Sequence, residues 1–450
     1  MKIRRLLFTT FFSISICQYY IVPHRPISDL LKWQEIYNDH ILFNKLGPIV
    51  NTDLRSSKII SFYYTERKSS GILKGEIIPE ISINNIDGTR LRIYGTAGIN
   101  FNEQLSIQNY FEFDNKGKND LHFQGVERGL KNGWVGYLQH SSMTYNYLQG
   151  HFSIGRGNPY FFNMTESLLL NPNFPPAEYA WWQHEIQWFQ YDWGTILLNK
   201  VDILNRFLTF HRYGIKNKNW RFGFTEAVMG TYETWGSPEI GYILPAAVHL
   251  ETEENRGINA NLMWLIDGMV KLNSLTLYSE FLIDDFALDG LSPPQIAGMI
   301  GLGKTLKGTL LNIEYIKINR WTGNYCDTTH INTWIESKVP IGHSMGSDAQ
   351  RLLIKSYYAF SEELAIELSF SWNKSGIGTA IERLEEWPNG VECETNFGYR
   401  VDPSPTEKYI TYTAAGNLYY LFNENILIKL SMDFSDIKTQ SEIIVSYRYK

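Results

Sequence analysis

Apolar and polar residues alternate in short stretches along most of this 450-residue chain. In one of them, Leu105, Ile107, Phe111 and Phe113 alternate with mainly polar residues. Successive side chains of a β-strand point to opposite faces, so each stretch predicts a strand with one apolar and one polar face. About 19 such stretches follow one another, separated by turn sequences. The pattern predicts an all-β protein.

The strand pattern favours a closed, antiparallel transmembrane β-barrel. Bacterial single-chain barrels have even strand numbers, so we expect about 18 strands, within a range of roughly 16 to 20. Short turns such as Asp87-Gly88 separate neighbouring strands, as hairpins require. Glu185–Trp193 and Thr195–Leu204 are predicted as two separate strands. The last predicted strand, Glu442–Tyr449, ends on an aromatic residue one position before the C-terminus, as is common in outer-membrane barrels.

Composition agrees with a membrane barrel without proving one. Aromatic residues make up 15% of the chain, with 28 Tyr, 25 Phe and 13 Trp, while 20% of residues are charged. A barrel with a lipid-facing surface, aromatic girdles and a polar lumen has such a mixed composition. An aromatic-rich soluble β protein would have it too, so composition alone leaves both open.

The N-terminus indicates export. Residues 1–17 combine three early basic residues with a largely apolar run from Leu6 to Ile16, which is the anatomy of a signal peptide. No later segment reaches the roughly 18 apolar residues of a membrane helix. An exported chain that is rich in alternating strands and lacks such helices is expected in the bacterial outer membrane.

Three regions are therefore expected. Residues 1–17 form the signal peptide, and residues 18–57 form a short periplasmic helical segment, because apolar residues between Pro26 and Leu46 fall at helical spacings. Residues 58–450 form the barrel.

Residues 308–358 contain two predicted strands joined by a long loop. In GTLLNIEYIKINRW, Leu311, Ile313 and Tyr315 share one face, but Ile316 and Ile318 fall on the other. A β-bulge, or the exit of the strand from its layer, would explain this change of face.

This part of the chain resembles the Wzi-type capsule assembly proteins, which are bacterial outer-membrane β-barrels. The resemblance is carried by FLIDD (Phe281–Asp285), LNIEYIKINRW and PIGHSMGSDAQRLLIKSYY, and upstream by GRGNPYFFNMTESLLLNPNFPP and SPEIGYILPAAVHLETEEN. It is clearest from Gly155 to Tyr358. It implies a protein that takes part in capsule or exopolysaccharide assembly and holds polysaccharide at the cell surface without altering it chemically.

Two short motifs match known enzymes by letter. GMIGLGKT (Gly298–Thr305) has the spacing of a phosphate-binding loop, but prolines closely precede it and a strand follows, so we interpret it as a hairpin turn. GHSMG (Gly342–Gly346) has the spacing of a nucleophile elbow, although no helical pattern follows it. A serine hydrolase that uses Ser344, His343 and Asp348 stays open as an alternative.

Candidate ligand-binding residues combine aromatic faces, which stack on sugars, with charged groups, which bind hydroxyls or acidic sugars. They are Arg156, Trp181, Trp182, Glu239, Asp284, Asp285, Arg320, Trp321, His343 and Asp348. The two neighbouring tryptophans could instead belong to an aromatic girdle or pack loops, and the charged residues could form a structural ion network in the lumen. If the strands on either side of the long loop pair, the last four residues of the set come together.

The remaining expectations concern partners and chemistry. Cys326 and Cys393 could form a disulfide or remain as two loop thiols. A formal charge of −6 argues against nucleic acid as a partner. No strong metal-binding spacing occurs, so no cofactor is expected. We expect a non-enzymatic monomer that contacts outer-membrane lipid, exported polysaccharide and its export machinery, with a channel as the main alternative.

Overall fold

In the computed structural model, the described residues are 74–85, 88–101, 104–117, 134–157, 166–170, 175–201, 203–233, 242, 260–285, 295–306, 309–320, 322–323, 333–336, 339–361, 363–376, 409–423, 425–436 and 439–447. The predicted signal peptide, the helical segment and both cysteines lie outside these residues. Their boundaries and pairing stay predictions.

The described residues form 20 β-strands. Their bounds are β1 Lys74–Asn84, β2 Gly88–Asn100, β3 Leu105–Asp114, β4 Val135–Tyr147, β5 Gly150–Gly157, β6 Ala177–Ile186, β7 Phe189–Val201, β8 Leu204–Lys216, β9 Trp220–Glu233, β10 Asn261–Leu272, β11 Leu275–Asp285, β12 Gln295–Leu306, β13 Thr309–Ile318, β14 Ile335–Glu336, β15 Val339–Pro340, β16 Ala349–Ala359, β17 Leu364–Ser375, β18 Tyr409–Asn423, β19 Ile426–Ser435 and β20 Thr439–Tyr447. No described helix has the length and apolar character needed to cross a bilayer.

Eighteen of these strands close into one antiparallel barrel. Each strand pairs with its neighbour in the chain, except that β13 pairs with β16 across the short β14–β15 hairpin. The sheet closes where β1 pairs with both β2 and β20. The closing pair joins Glu80–Asn84 of β1 to Glu442–Ser446 of β20, so the described sheet has no wholly unpaired edge strand. The predicted closed barrel of about 18 strands is confirmed.

All connections of more than four residues lie at one end of the barrel. At the opposite end, which we call the short-turn end, every connection is two to four residues long. At the first, the long-loop end, lie the connections that span residues 115–134, 158–176, 234–260, 319–348 and 376–408. Outer-membrane barrels have short periplasmic turns and longer extracellular loops, so the two ends match that arrangement.

Strand β13 shows how the two faces of the wall differ. Ile313 and Tyr315 point outward and are 37% and 39% exposed, whereas Asn312, Glu314 and Ile316 point into the lumen and are buried. Strand β13 keeps its register with both neighbours, so of the two explanations given for the pattern after Tyr315 the β-bulge is wrong. The face does not change. The lumen-facing residues change from polar to apolar because they meet a second layer of protein inside the barrel.

Candidate functional site

Two connections from the long-loop end fold into the lumen and fill part of it. We call residues 166–170 the first plug segment, and residues 333–336 and 339–348 the second plug segment. Leu169, Leu170 and Ile341 are at most 1% exposed. With Leu168, Trp334 and Val339 they form one buried cluster with lumen-facing wall residues, among them Trp181, Phe210, Met263, Leu265, Met269, Tyr278, Leu282, Ile316 and Ile318. Each fully buried leucine contributes about 1.5 to 3 kcal/mol, so the plug is held as a hydrophobic core.

The first plug segment is also fastened by hydrogen bonds. The Leu168 N–H donates to Glu280 Oε2 on β11 at 2.7 Å, and the Ser167 hydroxyl donates to the same carboxylate at 3.1 Å. Trp334 of the second segment donates its indole N–H to the Leu169 carbonyl oxygen at 2.8 Å. These bonds satisfy backbone groups that burial in the lumen removes from water.

The second plug segment is fastened to strands β7 and β8 through a carboxylate and a guanidinium group. Arg206 on β8 donates from Nη2 to the carbonyl oxygens of Thr333 and Ile335, at 2.8 Å each. Glu336 of the hairpin accepts a hydrogen bond from the Asn199 N–H at 3.0 Å and lies 3.5 Å from Arg206 Nη1. Removing either charge would leave the other buried with fewer partners, which is costly in a dry interior.

Glu166 joins the two plug segments to the wall. Its Oε2 accepts the Ser344 N–H at 3.0 Å and the Ser344 hydroxyl at 2.5 Å, and its Oε1 lies 3.6 Å from Arg351 Nη1 on β16. Arg351 also reaches Glu314 on β13 at 3.2 Å. Burial opposes the charge on Glu166, but the Arg351 guanidinium group and the bonds from Ser344 outweigh it and hold the pKa of this carboxyl below its usual range. We call Glu166, His343, Ser344 and Arg351 the plug latch.

His343 is enclosed within the latch. Its Nδ1 accepts the Met345 N–H at 3.2 Å, and its Nε2 lies 2.8 Å from Arg351 Nη2 and 3.3 Å from Glu166 Oε2. Burial lowers the pKa of His343 to about 3, so its imidazole is neutral at neutral pH. These contacts join the second plug segment to β16 and to the first plug segment, which is a structural role for His343.

Asp348 lies where the long loop rejoins the wall, and Asp284 on β11 binds the loop near its start. The Asp348 N–H donates to the Asn319 carbonyl oxygen at 3.2 Å, so the residues flanking the loop do come together. Asp348 has a φ of 58° and is fully buried, and its carbonyl oxygen accepts the Gly376 N–H at 2.8 Å. Asp284 Oδ2 accepts the Gly323 N–H at 2.8 Å. Both positions shape the loop, and a ligand-contact role for them stays a prediction.

The other predicted residues fall into separate places. Arg320 lies partly buried directly after β13, and Asp285 is the last residue of β11. Glu239 and Trp321 lie outside the described residues. The structure therefore brings Asp348 to Asn319, next to Arg320 in the chain, whereas the described contacts of His343 are with Met345, Arg351 and Glu166. Whether the predicted set forms a ligand site stays a prediction.

The neighbouring tryptophans of β6 point in opposite directions. Trp181 faces the lumen, where its ring meets Phe210 edge-on at 4.7 Å beneath the plug. Trp182 faces outward near the short-turn end, and its indole N–H donates to the Tyr147 hydroxyl at 2.7 Å. Arg156 is also outward, paired with Glu178 at 2.6 Å near the long-loop end. Trp182 thus has the position of a girdle residue, and Trp181 that of a plug-packing residue.

The two enzyme-like motifs lie in strand and loop geometry. GMIGLGKT lies inside β12, so the predicted hairpin turn is wrong. Gly301 of this motif makes room for the Tyr278 ring, because a Cβ there would lie 1.9 Å from a ring carbon. GHSMG joins β15 to β16, two strands, whereas a nucleophile elbow joins a strand to a helix. Within the described part of the chain, no three His, Cys, Asp or Glu side chains are arranged to hold a metal ion.

The sequence reasoning missed most of the residues that hold the plug. Glu166, Ser167 and Leu168 lie in the stretch TESLLL, which carries part of the family resemblance but contains none of the predicted site residues. Glu280 and Arg351 could have been found as charged residues at lumen-facing strand positions beside apolar ones.

The closed 18-strand barrel, its apolar outer surface and its plugged lumen define the chain as an outer-membrane β-barrel by fold. Among solved structures it is similar to Wzi of Escherichia coli, described as an outer-membrane protein involved in group 1 capsule assembly and a carbohydrate-binding β-barrel. That match has a TM-score of 0.57 at 10% identity and covers 95% of this chain and 98% of Wzi.

Two barrels of Pseudomonas aeruginosa also match. OccK8 (OprE) and OpdK each have a TM-score of 0.48 at 9% identity, and each covers 85% of this chain. The matches extend over 99% and 100% of those chains. No protein-family model and no curated protein sequence matches the chain. At these identities the likeness concerns the fold.

Proposed function

We propose that this protein is a non-enzymatic barrel of the bacterial outer membrane that binds an exported polysaccharide and holds it at the cell surface. The observation that carries the proposal is the plug. Two loop segments fill part of the lumen with a leucine-rich core and are tied to the wall by Glu280, Arg206 and the plug latch. A wide diffusion channel needs a hydrated passage where this core lies, so the plug favours binding over conduction.

Two further points support the proposal. The long connections gather at one end of the barrel, where a surface protein would present them to an external polymer. The structurally similar Wzi is described as carbohydrate-binding and involved in capsule assembly. The sequence resemblance between Gly155 and Tyr358 points to the same family.

Binding can be tested directly on the purified protein. Detergent-solubilised protein is titrated against polysaccharides extracted from the surface of its own host, with an unplugged porin of similar size as the control barrel. We expect saturable binding of at least one polysaccharide to this protein and none to the control. In planar bilayers the same preparation should be closed nearly all the time. Steady conductance together with no polysaccharide binding would replace the proposal by a channel.

A further inference from the structure

Two lysines lie on the outer face of the barrel near the long-loop end. Lys317 on β13 follows the outward Tyr315 by two residues, and Lys374 on β17 follows the outward Phe370 by four residues. Side chains alternate along a strand, so both lysines point away from the lumen. Each lies close to the end of its strand that leads into a long connection.

Strand register places the two lysines in one row with Gln350. Gln350 on β16 lies directly opposite Lys317 on one side and opposite Lys374 on the other. Neighbouring strands are about 4.8 Å apart, so the two lysine Cα atoms are separated by about 10 Å. We call Lys317, Gln350 and Lys374 the lysine row. Its side chains leave one face of three adjacent strands, so both ammonium groups can reach a single headgroup.

The wall around the lysine row has no outward carboxylate on its described strands. In β12, β13, β16, β17 and β18 the carboxylates are Glu314 and Glu367, which face the lumen and are at most 9% exposed. Neither lysine has an ion-pair partner among the described residues. By contrast Arg156, an outward cation at the same end, is paired with Glu178 at 2.6 Å. The lysine row therefore presents two positive charges that its own wall does not neutralise.

The outward side chains directly below fix the level of the lysine row in the membrane. The next row consists of Tyr315, Leu352, Trp372 and Tyr412, in register across β13, β16, β17 and β18. Tyr315 and Tyr412 are 39% and 49% exposed. Tyrosine and tryptophan rings collect where the hydrocarbon core meets the headgroups, so the lysine row lies at headgroup level. Lysine on the lipid face is costly at the membrane midplane but not at this boundary.

Gly298 leaves open space beside the lysine row. It lies opposite Lys317 on β12 and points outward, like Ile300 on the same strand, which is 61% exposed. A Cβ at Gly298 would meet nothing within 4 Å. The outer surface therefore has a notch next to Lys317, in which a phosphate or sugar can approach the wall.

We propose that the lysine row binds the headgroup of a phosphorylated glycolipid in the outer leaflet. Long loops are extracellular in outer-membrane barrels, so the lipid that meets this row belongs to the outer leaflet. Lys317 and Lys374 donate charge-assisted hydrogen bonds to phosphate oxygens, and the Gln350 amide donates to a phosphate or sugar oxygen. The row of apolar side chains below packs against the acyl chains. This site lies outside the wall and is independent of polysaccharide binding, so either proposal can fail without the other.

The test measures lipid binding by the full-length protein in an uncharged detergent. The probe is lipid A, whose disaccharide carries phosphate groups, and the comparison is the same lipid after dephosphorylation. We expect saturable binding of lipid A and binding at least about tenfold weaker for the dephosphorylated lipid, because hydrogen bonds to charged groups are the stronger ones. Lipid A binding should also weaken as salt is added, since salt screens exposed charges.

Charge variants locate the binding site. Lys317→Gln with Lys374→Gln removes both charges and should weaken lipid A binding about tenfold or more. Lys317→Arg with Lys374→Arg keeps both charges and should bind lipid A within a few-fold of wild type. The matched control is Lys304→Gln, because Lys304 is an exposed outward lysine on β12 that lies near the short-turn end. This control should bind lipid A as wild type does.

Each outcome has a defined meaning. Unchanged lipid A binding in the assembled glutamine double variant, or an equal loss in Lys304→Gln, would overturn the lysine row as the site. Equal binding of the dephosphorylated lipid would overturn the headgroup chemistry. Full competition by inorganic phosphate at the concentration of lipid A would make free phosphate the ligand and overturn the lipid assignment.

Single variants cover the case in which the glutamine double variant fails to assemble. Lys317→Gln and Lys374→Gln should each weaken lipid A binding several-fold. Wild-type affinity in both assembled single variants would overturn the proposal.

Discussion

Replacing Trp334 by alanine should release the plug and make the barrel conduct. The Trp334 indole is 5% exposed within the plug cluster, and its N–H donates to the Leu169 carbonyl oxygen at 2.8 Å. Removing a buried tryptophan costs about 3 to 5 kcal/mol. Since Trp334 joins one plug segment to the other, most of this cost falls on the docked state of the plug.

The cost converts into a measurable change in open time. Every 1.4 kcal/mol is about a factor of ten, so 3 to 5 kcal/mol raises the ratio of undocked to docked plug by roughly 100-fold to 4,000-fold. Single-channel recording in planar bilayers would show this as openings that are rare in wild type and frequent in Trp334→Ala.

The matched control is Trp188→Ala at the β6–β7 turn, where the indole is 61% exposed and lies outside the plug cluster. This variant should stay as closed as wild type. If Trp334→Ala is also as closed as wild type, although it assembles normally, the plug is not held by the cluster and our reasoning about the lumen fails.

Three further predictions follow from the same structure. The protein should migrate differently on electrophoresis before and after boiling, since a closed barrel resists detergent until heated; one mobility under both conditions would contradict a barrel. Gly301→Ala should lower assembled yield, because its Cβ would lie 1.9 Å from a Tyr278 ring carbon, whereas Gly298→Ala on the same strand meets nothing within 4 Å and should assemble normally. Acidification from about pH 7 to about pH 4 should increase open time: burial lowers the pKa of docked His343 to about 3, an exposed imidazole titrates near 6.5, and proton uptake therefore favours the undocked plug. His343→Gln should weaken this pH dependence, and an unchanged slope would place the titrating group elsewhere.

Strand alternation together with the signal-peptide pattern predicted the barrel, because lipid outside and polar groups inside impose a period of two along each strand. Strand boundaries were predicted less reliably where apolar and polar residues do not alternate clearly. Glu185–Trp193 was predicted as a strand, but the chain turns at Gln187 and Trp188, between β6 and β7. Gln187 adopts a φ of 53° there, without the glycine or asparagine that would mark such a turn in the sequence.

The plug could not be derived from the same pattern. The break in the apolar pattern after Tyr315 was visible in the sequence, but a second protein layer inside the barrel gives the same sequence pattern as a bulge. The latch between Glu166 and Ser344 joins residues 178 positions apart, and no local spacing reports such a contact. Trp181 and Trp182 must point in opposite directions because they are neighbours on one strand. The sequence does not show which of the two faces the lumen.

The most direct measurement of the central claim is the amount of polysaccharide that stays on the cell. Cell-bound and shed polysaccharide are quantified in host cells that lack the protein and in the same cells with the protein restored. The account predicts that restoring the protein moves polysaccharide from the shed to the cell-bound fraction while the total stays constant. An unchanged cell-bound fraction, with the protein present and correctly assembled in the outer membrane, would contradict it.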